Sequence, residues 1–214
     1  MSKEMTNDLI LTSQEAINML DELAGKGKMD VKLHPTKSFK IALGLKGAQS
    51  WPNPFCSRCK VHYGGIVIIG YTILCGLDNI ALKGVLAHEL AHIKKRHFAI
   101  IFLVFLPVFI PMFVYGFVSK SWLIIPILLI FIISFIIWIP VLSKISHRQE
   151  YEADAIAAEY AGGEKSMAYA LEQAAKFIDR PGDTLSHPSF EKRIARLDTR
   201  RRLKEESQNN QQGK

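Results

Sequence analysis

The segment His88-Glu89-Leu90-Ala91-His92 is an H-E-x-x-H motif, and it lies in a stretch whose apolar residues recur at helical spacing. On a helix, the i, i+4 spacing puts both imidazoles on one face, one turn apart. Two neutral imidazoles in that arrangement can occupy two corners of a tetrahedral zinc site. Glu89, beside His88, is suited to take a proton from an attacking water. The motif therefore predicts a hydrolytic zinc centre with Glu89 as the base.

Residues 98–142 contain a single charged side chain, Lys120. The segments 98–118 and 122–142 are each long enough to cross the roughly 30 Å hydrocarbon core of a bilayer, and only 119–121 connects them. They predict a transmembrane hairpin. Basic residues flank the hairpin on both sides, which predicts that the parts before and after it are cytoplasmic.

A catalytic zinc also needs a third protein ligand, and Glu150 is the candidate. At 1.5 Å per residue, His92 lies roughly 9 Å and Glu150 roughly 12 Å from the same membrane edge. Glu152 is the competing carboxylate, but it points about 200° around the helix from Glu150. Asp154 shares the face of Glu150, where it can hold a histidine ligand by its second ring nitrogen.

The expected fold class is α+β, a mostly helical metalloprotease domain with a small N-terminal mixed sheet and the hairpin inserted between the two zinc-ligand helices. A capping box at 12–15 predicts the start of the first helix, and Gly25 its end. Short strands are expected at 30–33 and 38–43, and a buried strand at 65–70. Asp78 or Asn79 is expected to cap the helix that carries the motif.

The chain divides into five expected parts. They are an N-terminal cytoplasmic α/β segment (1–52), an edge strand, core strand and motif helix (53–97), the hairpin (98–142), the glutamate-zinc helix with the C-terminal helices (143–199), and a disordered basic and polar tail (200–214).

The composition narrows the functional classes. The net charge of +7 could indicate a nucleic-acid partner, but the basic residues cluster beside the spans and in the tail, so no nucleic acid is expected. Three cysteines are too few for a disulfide scaffold, and Cys56-x-x-Cys59 has no second pair to form a zinc ribbon. The N-terminus lacks a signal-peptide pattern. His97 is interpreted as an anchor at the membrane interface.

Together these features resemble the HtpX-like membrane zinc metalloproteases, relatives of the CAAX prenyl endopeptidases. The resemblance covers roughly 53–197. It is carried by the segment 85–93 around the H-E-x-x-H motif, by Glu150-Tyr151-Glu152-Ala153-Asp154, which is similar to the family's E-[FY]-x-A-D motif, and by Ser186-His187-Pro188-Ser189 followed by Arg193. Ser189 stands where the family's H-P-P element has its second proline, and His147 where the family has a basic residue.

The resemblance implies roles for individual residues. His88, His92 and Glu150 would bind one Zn²⁺ per chain. His187 would stabilise the oxyanion and Arg193 would brace the site. Asn53 and Phe55 would belong to an edge strand over the cleft, along which a peptide could lie.

The expected function is that of an integral-membrane zinc endopeptidase acting at the cytoplasmic face. Its expected partners are the lipid bilayer and unfolded or membrane-associated polypeptides, in a role in protein quality control. Two alternatives stay open: a CAAX-type prenyl-protein endopeptidase and a non-catalytic zinc-stabilised membrane scaffold. The oligomeric state is not determined by the sequence.

Overall fold

The computed structural model describes residues 3–27, 29–36, 48–52, 63–97, 100, 106, 110, 124–178 and 182–212 of the 214-residue chain. The described residues form helices α1 (Lys3–Gly27), α2 (Tyr71–Gly76), α3 (Asn79–Lys95), α4 (Ile124–Ala161), α5 (Glu164–Ala175) and α6 (Phe190–Gln212), and strands β1 (Met29–Thr36), β2 (Ala48–Pro52) and β3 (Tyr63–Gly70).

The strands form one mixed sheet in the order β1-β3-β2. β3 pairs with β1 in parallel, with Val31 opposite Gly65, and with β2 in antiparallel, with Ser50 opposite Val67. Val67 and Ile69 of β3 are fully buried, as the apolar run at 65–70 predicted. The strand expected at 38–43 lies outside the described residues.

α1 is longer than the sequence predicted. It begins nine residues before the capping box at Thr12 and continues through Gly25. The start predicted from the capping box was therefore wrong.

α3 lies at the centre of the fold and carries the H-E-x-x-H motif. Asp78 caps its N-terminus by accepting a hydrogen bond from the Ala81 amide at 2.8 Å. Leu82, Leu86 and Leu90 are buried where α3 packs against α1, α4, α5 and the sheet. Arg96, in the left-handed conformation at φ 53°, ends the helix.

α4 is one continuous helix of 38 residues with Pro140 in its interior. The sequence predicted a span at 122–142 and, as a separate part, the glutamate-zinc helix that follows it; the structure joins the two in this one helix. Gly162 and Gly163, both at positive φ, then turn the chain into α5.

Most of the predicted first span and all of its connection at 119–121 lie outside the described residues. Across the part of the chain that the structure describes, no helix is long and apolar enough to cross a membrane. The C-terminal segment differs from the predicted disordered tail, because α6 continues to Gln212 with its last two turns exposed.

Candidate metal centre

α3 brings the two histidines of the motif together. The Nε2 atoms of His88 and His92 lie 3.0 Å apart, and the whole His88 residue is 8% exposed. The leucines on the opposite side of α3 fix the helix in the core, so its remaining face, with both imidazoles, is held towards α4.

Glu150 of α4 faces these imidazoles. Its Oε2 lies 3.4 Å from His88 Nε2, and its Oε1 lies 3.3 Å from His92 Nε2. One ligand atom from each of the three side chains lies within 4.8 Å of the other two. Among the described residues this is the group of nitrogen and oxygen donors that could hold a metal ion.

The donor chemistry and the bonding of Glu150 fit a zinc ion. Two imidazoles and one carboxylate are a common ligand set for catalytic zinc, which leaves one coordination position open. Glu150 Oε2 is buried and accepts no hydrogen bond from the described residues, although Arg193 Nη1 lies 3.1 Å away. A buried carboxylate oxygen without a hydrogen bond is costly, and a bound cation would satisfy it.

The competing carboxylate, Glu152, points away from this group. Its side chain is 42% exposed and forms an ion pair with Lys95 at 2.5 Å. Because the two residues are about 200° apart around α4, Glu150 faces the histidines and Glu152 faces solvent, as the spacing predicted.

Asp154 and Arg193 lie behind His88. Asp154 Oδ1 is 2.9 Å from His88 Nδ1, so the carboxylate can accept a hydrogen bond from the Nδ1–H group and leave Nε2 for a metal. Arg193 in turn donates two hydrogen bonds to Asp154, at 2.8 Å from Nε and 2.6 Å from Nη2. Both side chains are at most 5% exposed, so α6 fixes the orientation of a ligand on α3 through a residue of α4.

The buried charges shift the proton affinities of this cluster. Burial and the Arg193 cation act to lower the pKa of His88, but the neighbouring carboxylates of Asp154 and Glu150 raise it to about 9. Burial acts to raise the pKa of Glu150, yet Arg193 and the two histidines hold it well below its usual value. Without a metal, the cluster therefore holds a proton on His88 opposite an ionised Glu150.

Glu89, the candidate base, follows His88 in α3 and is 8% exposed. Burial acts to lower the pKa of Arg193, but the negative charges of Asp154, Glu150 and Glu89 raise it above its usual value. Glu89 therefore lies within electrostatic range of the same cluster.

His187 reaches the site from the loop before α6. Its Nε2 lies 3.5 Å from Glu150 Oε1, and its side chain is 32% exposed. The loop is fastened to α4, because Ser146 Oγ donates to the Ser186 carbonyl at 2.5 Å and His147 Nε2 donates to the Thr184 carbonyl at 2.8 Å. His147, which departs from the family pattern, thus helps to position this loop.

His97 is the residue whose place the sequence did not predict. It is 3% exposed, and its Nδ1 lies 2.8 Å from His92 Nδ1, so its interpretation as a membrane-interface anchor was wrong. Burial and the neighbouring His92 lower the pKa of His97 to about 4, so its neutral ring can accept a hydrogen bond from the Nδ1–H group of His92. The left-handed turn at Arg96 directs it there, and helical periodicity does not reveal such a turn.

The remaining predicted site residues, Asn53 and Phe55, lie outside the described residues. β2 ends immediately before them, at Pro52, and occupies one end of the strand order. Their expected role in an edge strand stays a prediction.

The curated relative "Protease HtpX homolog 2" of Methanosarcina mazei is 28% identical over 187 residues, which covers 69% of this chain and 62% of that protein. The crystal structure of S. mikatae Ste24p matches with a TM-score of 0.55 at 19% identity, covering 85% of this chain and 49% of that one, and this likeness concerns the fold alone. The chain thus spans less than two thirds of the length of either protein.

The family model described as Peptidase family M48 matches residues 18–201. That range includes α3 and α4, which carry the three candidate ligands, and the start of α6, which carries Arg193. The chain therefore belongs to Peptidase family M48, in agreement with the HtpX-like resemblance of its motifs.

Proposed function

We propose that this protein is a zinc-dependent endopeptidase in which His88, His92 and Glu150 bind one Zn²⁺. The observation that carries the proposal is the convergence of these side chains from two helices, with a buried Glu150 oxygen that lacks a hydrogen bond. A structural zinc site normally has four protein ligands, whereas three leave a position for water or substrate. Glu89 beside this group argues further against a scaffold, because a structural site needs no base.

The reaction would be the hydrolysis of a peptide bond. Zinc, when bound, supplies a Lewis acid that polarises the substrate carbonyl and makes a water more acidic. Glu89 takes the proton of the attacking water and delivers it to the nitrogen of the leaving amine. His187, partly exposed and next to Glu150, donates a hydrogen bond towards the developing oxyanion. Asp154, Arg193 and His97 hold the histidine rings in the required orientation.

The substrates we propose are unfolded or extended polypeptides. A peptide that lies along the edge strand at Asn53 and Phe55 would be bound by main-chain hydrogen bonds, which depend weakly on sequence. Folded proteins do not offer such a free strand. This preference is consistent with a role in protein quality control.

We also propose that residues 98–142 lie in a bilayer as a hairpin and that the zinc centre is on the cytoplasmic side. The support is the near absence of charge in this segment and the exposed apolar face of α4. Leu129, Ile133, Ile136 and Ile137 are each between 55% and 63% exposed. A monomeric protein in water rarely exposes so many large aliphatic side chains together.

The test of the hydrolytic proposal compares the wild type with Glu89→Gln. Both are purified in full length, stripped of metal, reloaded with zinc and mixed with an unfolded model protein. We expect cleavage by the wild type to exceed that by the variant by at least about 100-fold, because general-base catalysis contributes about that much or more. Zinc content should be the same in both.

Other outcomes would change the assignment. Equal cleavage by Glu89→Gln would remove Glu89 from the mechanism. Zinc bound by both proteins with no cleavage by either would favour the scaffold. Cleavage confined to a prenylated peptide would favour the prenyl-protein endopeptidase.

A further inference from the structure

A large groove separates α4 from α6 on the face of the protein next to the zinc-binding cluster. Its volume is about 1700 Å³. Six lysine and arginine side chains line it, Lys144 and Arg148 from α4 and Arg193, Arg196, Arg200 and Lys204 from α6. Arg193 and the Asp154 carboxylate, which also line it, hold His88 in the zinc centre, but the function proposed above does not use the other basic residues.

Only part of this positive charge is neutralised by the protein. Arg200 pairs with Glu159 at 2.8 Å, and Lys204 pairs with Glu164 at 2.5 Å. Within the described residues, no carboxylate forms an ion pair with Lys144, Arg148 or Arg196. Lys144, Arg148 and Arg196 are exposed, and the Arg196 guanidinium lies over the Tyr151 ring, 4.7 Å from its centre.

The groove continues the exposed apolar face of α4. At 100° per residue, Ile133, Ile137, Lys144 and Arg148 fall within roughly 60° of one another around the helix axis. Ile133 is 57% and Ile137 63% exposed. Because α4 is continuous, a molecule that covers this apolar face extends directly towards the basic groove.

We propose that the groove binds the phosphate-bearing headgroup of an anionic phospholipid whose acyl chains lie along the apolar face of α4. This rests on the proposal that residues 98–142 lie in a bilayer. Lys144 and Arg148 lie roughly 4 and 10 Å beyond Val141 along the helix. Their long side chains can therefore reach the headgroup region of the bilayer. Arginine pairs bidentately with phosphate oxygens, which suits Arg148 and Arg196 to this ligand.

An acidic segment of a polypeptide is the competing occupant. It matches the positive charge of the groove, but it does not account for the exposed aliphatic side chains that lead into it. A lipid satisfies both surfaces at once, which is why the observations favour it.

The test uses the full-length protein in detergent with equal amounts of phosphatidylglycerol and phosphatidylcholine, and native mass spectrometry counts the lipids retained. The test variant is Lys144→Gln/Arg148→Gln/Arg196→Gln. The control, Lys165→Gln/Lys176→Gln/Arg202→Gln, removes the same charge elsewhere. A third protein, Arg148→Lys/Arg196→Lys, keeps the charge.

We expect the wild type to retain phosphatidylglycerol in preference to phosphatidylcholine. In the test variant this preference should fall at least tenfold, because each cation near an anionic surface strengthens binding roughly fivefold. The control should keep the preference, and the lysine variant should keep most of it. No preference in the wild type, or an equal loss in the control, would overturn the proposal, as would an acidic peptide that binds the groove and is not displaced by phosphatidylglycerol.

Zinc-dependent cleavage and membrane extraction are measured on the same proteins. None of the substituted residues belongs to the catalytic machinery, so both properties should survive in the test variant. If the test variant loses its lipid preference but keeps cleavage and membrane attachment, the lost property belongs to the groove alone. A wild type that is released from membranes would instead refute the proposed location on which the groove depends.

Discussion

At the scale of single residues, the candidate centre consists of ligands held by partners of different charge. His88 is oriented by a carboxylate, Asp154, which is itself bound by Arg193. His92 is oriented by a neutral imidazole, His97. A negatively charged partner makes an imidazole a stronger base, so the two ligands are expected to differ in basicity.

The contact between His97 and His92 predicts a loss of zinc affinity on substitution. His97→Ala removes the acceptor of the His92 Nδ1 proton, and the loss of such a partner typically weakens metal binding 10- to 100-fold. His97→Asn, which can still accept through its amide oxygen, should recover most of the affinity. Zinc affinity is measured by competition with a fluorescent chelator. Unchanged affinity in His97→Ala would show that His97 only fills space.

The raised pKa of His88 predicts how the stability of the metal-free protein depends on pH. The pKa is about 9 in the folded protein against an ordinary value of 6.5. The folded state therefore binds the His88 proton more tightly than the unfolded state does. The resulting gain in the free energy of unfolding is complete below pH 6.5 and is lost as pH rises through 9. Glu150 and Asp154 have lowered pKa values and do not titrate in this range.

We therefore expect the melting temperature of the chelator-treated protein to fall between pH 6.5 and 9.5. Zinc-loaded protein should show no such fall, because the metal replaces the proton on His88. A calorimetric scan at several pH values measures both. An identical pH dependence with and without zinc would contradict the assignment of His88 as a ligand.

At the scale of elements, the site depends on the close approach of α3 and α5. A Cβ atom added at Gly84 would lie 2.4 Å from the Cβ of Ala170, well inside contact distance. Gly84 is therefore the small residue that lets α5 pack directly behind the helix that carries both histidines.

Gly84→Ala is expected to destabilise the protein by roughly 1–3 kcal/mol, because the cost of overpacking exceeds the gain of about 1 kcal/mol in helix propensity. Ala170→Gly in the same chain removes the clashing methyl group and should restore part of the stability. Melting temperatures of the single and double variants test this. If Gly84→Ala were more stable than the wild type, α3 and α5 could move apart at no cost, and the close approach at Gly84 would not matter for stability.

The elements also show what the sequence could predict. The cap at Asp78 and the apolar spacing of α3 depend on residues close in sequence, so the motif helix was predicted correctly. The continuity of α4 was not predicted, because the apolar run ends at residue 142 and the charged sequence after it was assigned to a separate helix. Glu150 was predicted as a ligand because its position follows from helical spacing. The position of His97 was not predicted, because it depends on the left-handed turn at Arg96.

At the scale of the whole molecule, the largest exposed apolar surface among the described residues lies along α4. Ile133→Lys/Ile137→Lys places two charges on that face. If residues 98–142 lie in a bilayer, each buried charge costs at least about 2.5 kcal/mol, and insertion should fail. The wild type should stay in the membrane pellet after carbonate extraction, and the variant should be released.

Leu203→Lys is the control for this extraction. Leu203 lies on α6 and is 58% exposed, so a lysine there changes an apolar surface position outside the proposed hairpin. We expect this variant to remain in the pellet. Release of the wild type itself by carbonate would contradict the proposed membrane location.

The most direct test of the central claim is the coordination of zinc in the full-length protein, measured by X-ray absorption and elemental analysis. We predict one zinc per chain with two imidazole ligands and oxygen in the remaining positions. Glu150→Gln should weaken binding severely, and the neighbouring Glu152→Gln should leave it unchanged. Sulfur ligands from the cysteines, or equal losses in the two variants, would contradict a centre built from His88, His92 and Glu150.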